Sequence, residues 1–102
     1  MSGKVNTNLQ VKISLDKSTY KIGETGKITT TVTGGIEPYA YRLIIHRPDT
    51  DAWWSPSSTF QNDPFVNVNM TTESANKELY IDVVDRYGEY CRSAAAIYNV
   101  VS

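Results

Sequence analysis

Apolar and polar residues alternate along most of this chain. Leu9, Val11, Ile13 and Leu15 are separated by Gln10, Lys12 and Ser14. A period of two puts the apolar set on one face of a half-buried strand. Asp16-Lys17-Ser18 follows as a turn cluster, then Tyr20 and Ile22 make a short extended piece ending at Gly23-Glu24. Over 26–33, Ile28, Thr30 and Val32 share one face, and Lys27, Thr29 and Thr31 the other. Threonine at this density suits a strand with one wet face. Over 39–46, Tyr39, Tyr41, Leu43 and Ile45 alternate with Ala40, Arg42, Ile44 and His46. This is the most apolar strand, as a central position requires.

The second half alternates less evenly. Residues 47–62 hold Pro48, Pro56 and many small polar residues, which argue for loop or edge structure. Asp63-Pro64 marks a turn. Val66, Val68 and Met70 lie opposite Asn67 and Asn69 in the next strand, and the polar stretch 71–77 allows at most one helical turn. Leu79, Ile81 and Val83 alternate with Tyr80, Asp82 and Val84. Asp85-Arg86-Tyr87-Gly88 reads as a tight turn in which Gly88 takes positive φ. A last strand over 91–101 is expected to turn Ala94, Ala96, Tyr98 and Val100 inward.

Between the second and third long strands lies Gly34-Gly35-Ile36-Glu37-Pro38-Tyr39-Ala40-Tyr41. The glycine pair can take positive φ without steric cost. Pro38 fixes its own φ and pushes Glu37 toward extended geometry. Tyr39 and Tyr41 then share a face, where they are expected to fill one end of the core with hydroxyls bonded back to backbone. The segment reads as a corner between two sheets. In all, about seven strands at short turn spacing, with no helical stripe, predict an all-β chain forming an antiparallel β-sandwich or small barrel. Residues 1–8 lack periodicity and read as a flexible tail, leaving 9–102 as one domain.

Composition narrows the role. Hydrophobic residues make up 40 % of 102 residues, enough for one core, and no apolar run approaches the roughly 20 residues of a membrane span. Net charge is −1 and the pI about 5.7, without the basic excess of a nucleic-acid binder. Cys91 is the only cysteine, so no internal disulfide or cysteine-based zinc site can form; a buried, inert thiol is expected. Met1-Ser2-Gly3 does not begin a signal peptide. The expectation is a piece of a longer exported protein whose signal lies elsewhere.

Candidate chemistry is sparse. His46 is the only histidine, and nothing in the sequence sets a serine and an aspartate beside it, so it reads as an exposed strand-end residue. Asp49 with Asp51, and Asp82 with Asp85, could pair as carboxylates, but a chain this small has little room for a catalytic cleft as well as a sandwich. No enzymatic activity is expected. Asp49, Asp51 and Asn62-Asp63 offer oxygen ligands of the kind calcium takes, yet no D-x-D-x-D-G loop is present, and they read as solvated turn acids. No metal or cofactor is expected. Trp53-Trp54 lie in a polar, proline-bearing segment; adjacent strand residues face opposite ways, so at most one can enter the core. An exposed Trp53 or Trp54, with Tyr87 and Tyr90 about the turn, would suit stacking on a sugar ring; alternatively one tryptophan caps the sandwich and the other lies across an edge strand.

Three motifs resemble bacterial immunoglobulin-like domains of the PKD-like, surface-repeat type. Gly34-Gly35-x-x-Pro38-Tyr39-x-Tyr41 matches their glycine–proline–tyrosine signature, and Tyr20-x-x-Gly23-Glu24 their turn before the second strand. Leu79-x-Ile81-x-Val83-x-Asp85-x-x-Gly88 matches their penultimate strand and its turn. The likeness covers residues 9–101; the Trp53-Trp54 region and Leu43, where a tryptophan is common, depart from it. It implies an immunoglobulin-like sandwich that serves as a non-catalytic spacer or adhesion module of a secreted or cell-surface protein. Its partners would be neighbouring domains and a carbohydrate or protein ligand at the cell surface, with no nucleic acid and no membrane insertion. A carbohydrate-binding module and a phage tail or fibre decoration domain are the alternatives.

Overall fold

A computed structural model describes residues 8–56, 59–71, 77–96 and 98–102. Residues 1–7, assigned to a flexible tail, and most of the polar stretch 71–77 lie outside the described residues. The chain is all-β. Among the described residues there are nine strands and no helix. β1 (Gln10–Leu15), β3 (Thr25–Thr33) and β6 (Phe65–Asn69) form one antiparallel sheet in the order β1-β3-β6. β5 (Ala52–Trp54), β4 (Ala40–Arg47), β7 (Glu78–Val84) and β8 (Tyr90–Arg92) form the other, in that order. β2 (Thr19–Lys21) and β9 (Asn99–Val101) pair in parallel beside them.

One core joins the two sheets. Val11, Ile28, Val66 and Val68 come from the first sheet, and Tyr41, Leu43, Leu79, Ile81 and Val83 from the second. Tyr20 and Met70 complete it. The alternations along β1, β3, β4, β6 and β7 therefore point inward as their apolar residues predict. Gly26 leaves room for two of the largest core groups: a Cβ there would stand 2.6 Å from Met70 Cε and 3.1 Å from the Tyr20 ring. Cys91 is half-buried and packs against the same core.

Two segments differ from the pattern-based reading. Ala52–Trp54, read within a loop or edge region, is an edge strand whose register sets Trp53 opposite His46 and Trp54 opposite Ile45. The segment read as one strand over 91–101 is broken. Cys91 and Ser93 face inward, Ala94 is exposed, and Ala96, Tyr98 and Val100 again pack on the core. The inner face thus changes from odd to even positions across Ala94-Ala95, a one-residue slip. Ser93 bridges the break. Its N–H donates to Ile81 O and its hydroxyl oxygen accepts the Ile81 N–H, both at 3.0 Å. Pairing resumes where Ala96 N–H donates to Leu79 O at 2.8 Å. The chain then leaves β7 and runs along β2.

The glycine–proline segment is a corner, held from outside. Gly34 and Gly35 have φ of +74° and +66°. A Cβ on Gly34 would lie 2.1 Å from the Asn8 carbonyl oxygen, so only glycine fits both the φ and the approach. The Glu37–Pro38 peptide is cis. Tyr41 is in the core, and the half-buried Tyr39 donates its hydroxyl to Gly34 O at 2.6 Å. The fastening is Asp85, only 5 % exposed. Its Oδ2 accepts the Ile36 N–H at 3.1 Å, and its Oδ1 accepts the N–H groups of Tyr87 and Glu89, each at 2.9 Å. Arg86 N–H returns a bond to Ile36 O. One carboxylate thus ties the corner to the 85–89 turn, where Gly88 has φ +87°. At the other end, Asp16 Oδ1 accepts the buried Tyr20 hydroxyl at 2.5 Å and the Lys27 N–H at 3.0 Å.

Burial pushes the Asp85 carboxyl up, but the backbone N–H groups of Glu89, Ile36, Tyr87 and Gly88 outweigh it and hold the pKa below the usual carboxylate value. A depressed folded-state pKa stabilises above the unfolded value, about 3.9, and that stability is lost as pH falls through the folded value. Asp85→Asn is therefore expected to lower Tm at neutral pH by about 5 °C or more. It should also flatten the loss of Tm on acidification. Thermal melts followed by circular dichroism from neutral to strongly acidic pH would check both, and an acid dependence identical to wild type would count against the role given to Asp85.

Candidate functional site

The two outer sheet faces differ in chemistry. The face of β1-β3-β6 carries Lys12, Ser14, Lys27, Thr29, Thr31, Asn67 and Asn69, with Phe65 as its large apolar residue, 4.4 Å under Lys27 Nζ. It is an ordinary wetted surface. The face of β5-β4-β7-β8 is built of aromatic and charged groups that contact one another. The register aligns His46 with Trp53 and Glu78, Ile44 with Tyr80, Arg42 with Asp82, Asp82 with Arg92, and Val84 with Tyr90. All of these project away from the core, because their neighbours in sequence fill it.

Trp53 lies across this face. Its ring stacks on His46 with centroids 3.9 Å apart and planes at 22°, and reaches Tyr80 at 5.4 Å. The Arg92 guanidinium carbon stands 5.0 Å from the indole centroid, and Trp53 Nε1–H donates to Asp51 Oδ1 at 3.3 Å. The indole therefore spans β4 to meet residues of β7 and β8, in line with Ile44 being only 5 % exposed on this face. Trp53 itself remains 46 % exposed. With its inner side on His46, Tyr80 and Arg92, what it offers solvent is the outer side of a flat ring.

His46 is the pivot of this arrangement, and the reading of it as an exposed, isolated residue is corrected. Its side chain is largely covered, and both ring nitrogens face carboxylates: Nδ1 lies 2.6 Å from Glu78 Oε1 and Nε2 2.8 Å from Asp51 Oδ1. The Tyr80 hydroxyl also donates to Glu78 Oε1, at 3.1 Å. Asp51 reaches His46 with φ +54°, left-handed for a non-glycine residue. The bond to Glu78, then that to Asp51, raises the His46 pKa, while burial opposes them. The same bonds lower both carboxyls, His46 being the first cause in each case. A histidine general base needs a free ring nitrogen toward a hydroxyl. Here neither nitrogen is free, and the Ser55 hydroxyl donates instead to Leu43 O.

Asp82 is the second anchor. It is fully buried although it points outward, under Arg92, whose Nε and Nη2 donate to its two oxygens at 2.7 and 3.2 Å, with Arg42 Nη2 at 4.0 Å. The Arg42 guanidinium lies 4.5 Å over the Phe60 ring. Burial, followed by a hydrogen bond to Asp82, raises the Tyr90 hydroxyl pKa.

The residues singled out for ligand contact do not form one patch. Trp53 and Trp54 are both exposed, at 46 % and 38 %, but as neighbours on β5 they face opposite sides, and Lys77 Nζ sits 5.3 Å from the Trp54 ring. Tyr87, 73 % exposed, occupies the turn beyond Val84. The seven residues of β7 set it about 20 Å from the Trp53 end of the sheet. The acids considered for calcium are engaged elsewhere. Asp49 accepts from Arg47 Nε, Asp51 from His46 and Trp53, and Asp63 from the Phe65 N–H. Among the described residues no cluster of three His, Cys, Asp or Glu side chains could hold a metal ion, and no helix is long and apolar enough to cross a membrane. No protein-family model matches the chain, and no curated protein matches it in sequence.

Because His46 bridges two carboxylates, it has to carry both ring protons to satisfy them. Its raised pKa means that this stabilisation is complete below the unfolded value, about 6.5, and is lost as pH rises through the folded value. An NMR titration of the His46 ring should give a midpoint above about 6.5. The Trp53 indole N–H signal is expected to broaden or shift with the same midpoint. A midpoint at or below the ordinary histidine value would show that the carboxylates do not hold the imidazolium.

Proposed function

We propose that the chain is an immunoglobulin-like module acting as a non-catalytic spacer or adhesion unit within a larger secreted or surface-exposed bacterial protein. The sheet orders β1-β3-β6 and β5-β4-β7-β8, with β2 crossing to pair in parallel with β9, fit that topology. The observation that carries the reading is where the chain enters and leaves. Gln10 pairs with Thr33 at the corner end, beside Asn8 and Gly34. Val101 pairs with Lys21 at the opposite end, near the start of β3. The nine residues of β3 separate the two ends by about 25 Å. Modules built this way join head to tail without folding back on one another.

The same geometry suits tension. β2 and β9 run parallel, the chain entering β2 at Thr19 and leaving β9 at Val101. A pull on both ends drags β2 toward Thr19 and β9 past Val101, so the pair slides in shear. Its rungs then bear load together with the flanking bonds Asn99 N–H to Ser18 O and Ile22 N–H to Val101 O, each 2.9 Å. Antiparallel β1–β3, with six register pairs, backs them up.

Single-molecule stretching of a tandem array would test the module. Wild type should unfold in discrete force peaks of equal contour length. Asn99→Pro, which deletes the N–H bound to Ser18 O, should lower the peak force while leaving the strand signature in far-ultraviolet circular dichroism. Extension of the wild type without peaks, or peaks unmoved by the proline, would remove the mechanical reading.

A further inference from the structure

We propose that the outer side of the Trp53 indole, with the Asp51, Glu78 and Arg92 side chains at its rim, is a binding site for an uncharged pyranose ring of a polysaccharide. The inference is independent of the spacer reading, since a module can carry such a site whether or not it bears load. It rests on three properties of the face that meet at one place.

The first is a fixed, flat, open aromatic ring. Trp53 is held by the His46 stack at 3.9 Å, by the Arg92 guanidinium carbon 5.0 Å from its centroid, and at its N–H by Asp51. Nothing further has to be ordered when a ligand arrives, which lowers the entropic cost of binding. A pyranose with mostly equatorial hydroxyls presents axial C–H bonds as a flat apolar face, and an indole is its natural complement.

The second is spare hydrogen-bonding capacity around that ring. Asp51 uses Oδ1 for His46 and Trp53, and its side chain is otherwise open to solvent. Glu78 uses Oε1 for His46 and Tyr80, with its side chain 40 % exposed. Arg92 gives Asp82 two of its five N–H donors, through Nε and Nη2, and also bonds Tyr90, while its side chain stays 37 % exposed. Fixed carboxylate oxygens accept from sugar hydroxyls, and a guanidinium donates to them. Each rim group is already oriented by a bond to the protein, so its remaining valence points in a set direction.

The third is charge balance, which decides between neutral and charged occupants. His46 lies between Asp51 and Glu78, and Arg92 and Arg42 lie on Asp82. With His46 protonated, the three cations of the face stand against three carboxylates, two arginines sharing Asp82 and two carboxylates sharing His46. Among the described residues of this face no surplus positive charge remains to recruit a polyanion such as an acidic polysaccharide or a nucleic acid. An aromatic ring with paired charges at its rim favours a ligand that is polar and uncharged.

The test uses the two tryptophan indole N–H signals of the ¹⁵N-labelled protein, assigned with Trp53→Phe and Trp54→Phe. The probes are hexamers of cellulose, xylan, laminarin and chitin, with polygalacturonate as the anionic comparison, each taken to millimolar concentration. At least one neutral hexamer should shift the Trp53 signal saturably and leave that of Trp54 in place. Trp53→Ala should weaken that binding by at least about tenfold, and Trp54→Ala, on the other side of β5, should preserve it. Mapping shifts on the wild type keeps the test valid even if Trp53→Ala disturbs folding. The proposal fails if no neutral hexamer gives a saturable shift, if Trp54 responds in place of Trp53, or if polygalacturonate alone binds.

Discussion

The carboxylate of Asp85 is the constraint on which the arrangement of the two sheets depends. The chain passes from β3 to β4 through a corner whose glycines both have the positive φ that side chains disfavour. Three backbone N–H groups from two separate turns converge on Asp85, a buried side chain. Without it those donors would be left unsatisfied in a poorly solvated place, which costs more than the bonds contribute when made. Once the corner is fixed, β4 enters the second sheet in the register that turns Tyr41, Leu43 and Ile45 inward. That register also commits Arg42, Ile44 and His46 to the opposite face. A packing requirement in the core thus determines which groups meet outside it.

Much of the fold is legible because period-two patterning reports burial directly. Val66, Val68 and Met70 are buried and Asn67 and Asn69 exposed, as alternation demands. The break at Ala94-Ala95 was not legible. An apolar run of small residues fits either register, and the deciding feature is Ser93, whose hydroxyl takes the place of a ladder carbonyl. A serine in such a run looks like a polar interruption until its partner on β7 is known.

The aromatic and charged face of β5-β4-β7-β8 was less legible for a related reason. Asp82 looks like a solvated residue on the wet side of a strand, and its burial depends on Arg92, ten residues away and adjacent only through the β7–β8 pairing. His46 gains its partners in the same way, Glu78 from β7 and Asp51 from a turn with an unusual φ. The sequence does carry a signal that could have found them. Arg42, Ile44 and His46 on one side of β4, with Tyr80 and Asp82 on one side of β7, are too aromatic and too charged for a plain solvent face. That Trp53 and Trp54 face opposite ways is legible from strand geometry, but only the β4–β5 register shows that Trp53 is the one on the structured face.

The short, interrupted margins of the β5-β4-β7-β8 sheet and of the β2–β9 pair bear on how copies of this chain behave when crowded together. A long, straight edge strand offers unpaired N–H and C=O groups that another molecule can extend into a continuous sheet. Here β5 and β8 have three residues each, the first approached through Asp51 at positive φ and the second ended by the Ser93 slip. β9 has three residues, and β2 occupies one of its sides. At these margins a neighbouring copy finds little template to pair with. The irregularities that obscure the pattern along the chain therefore blunt these margins against cross-β pairing.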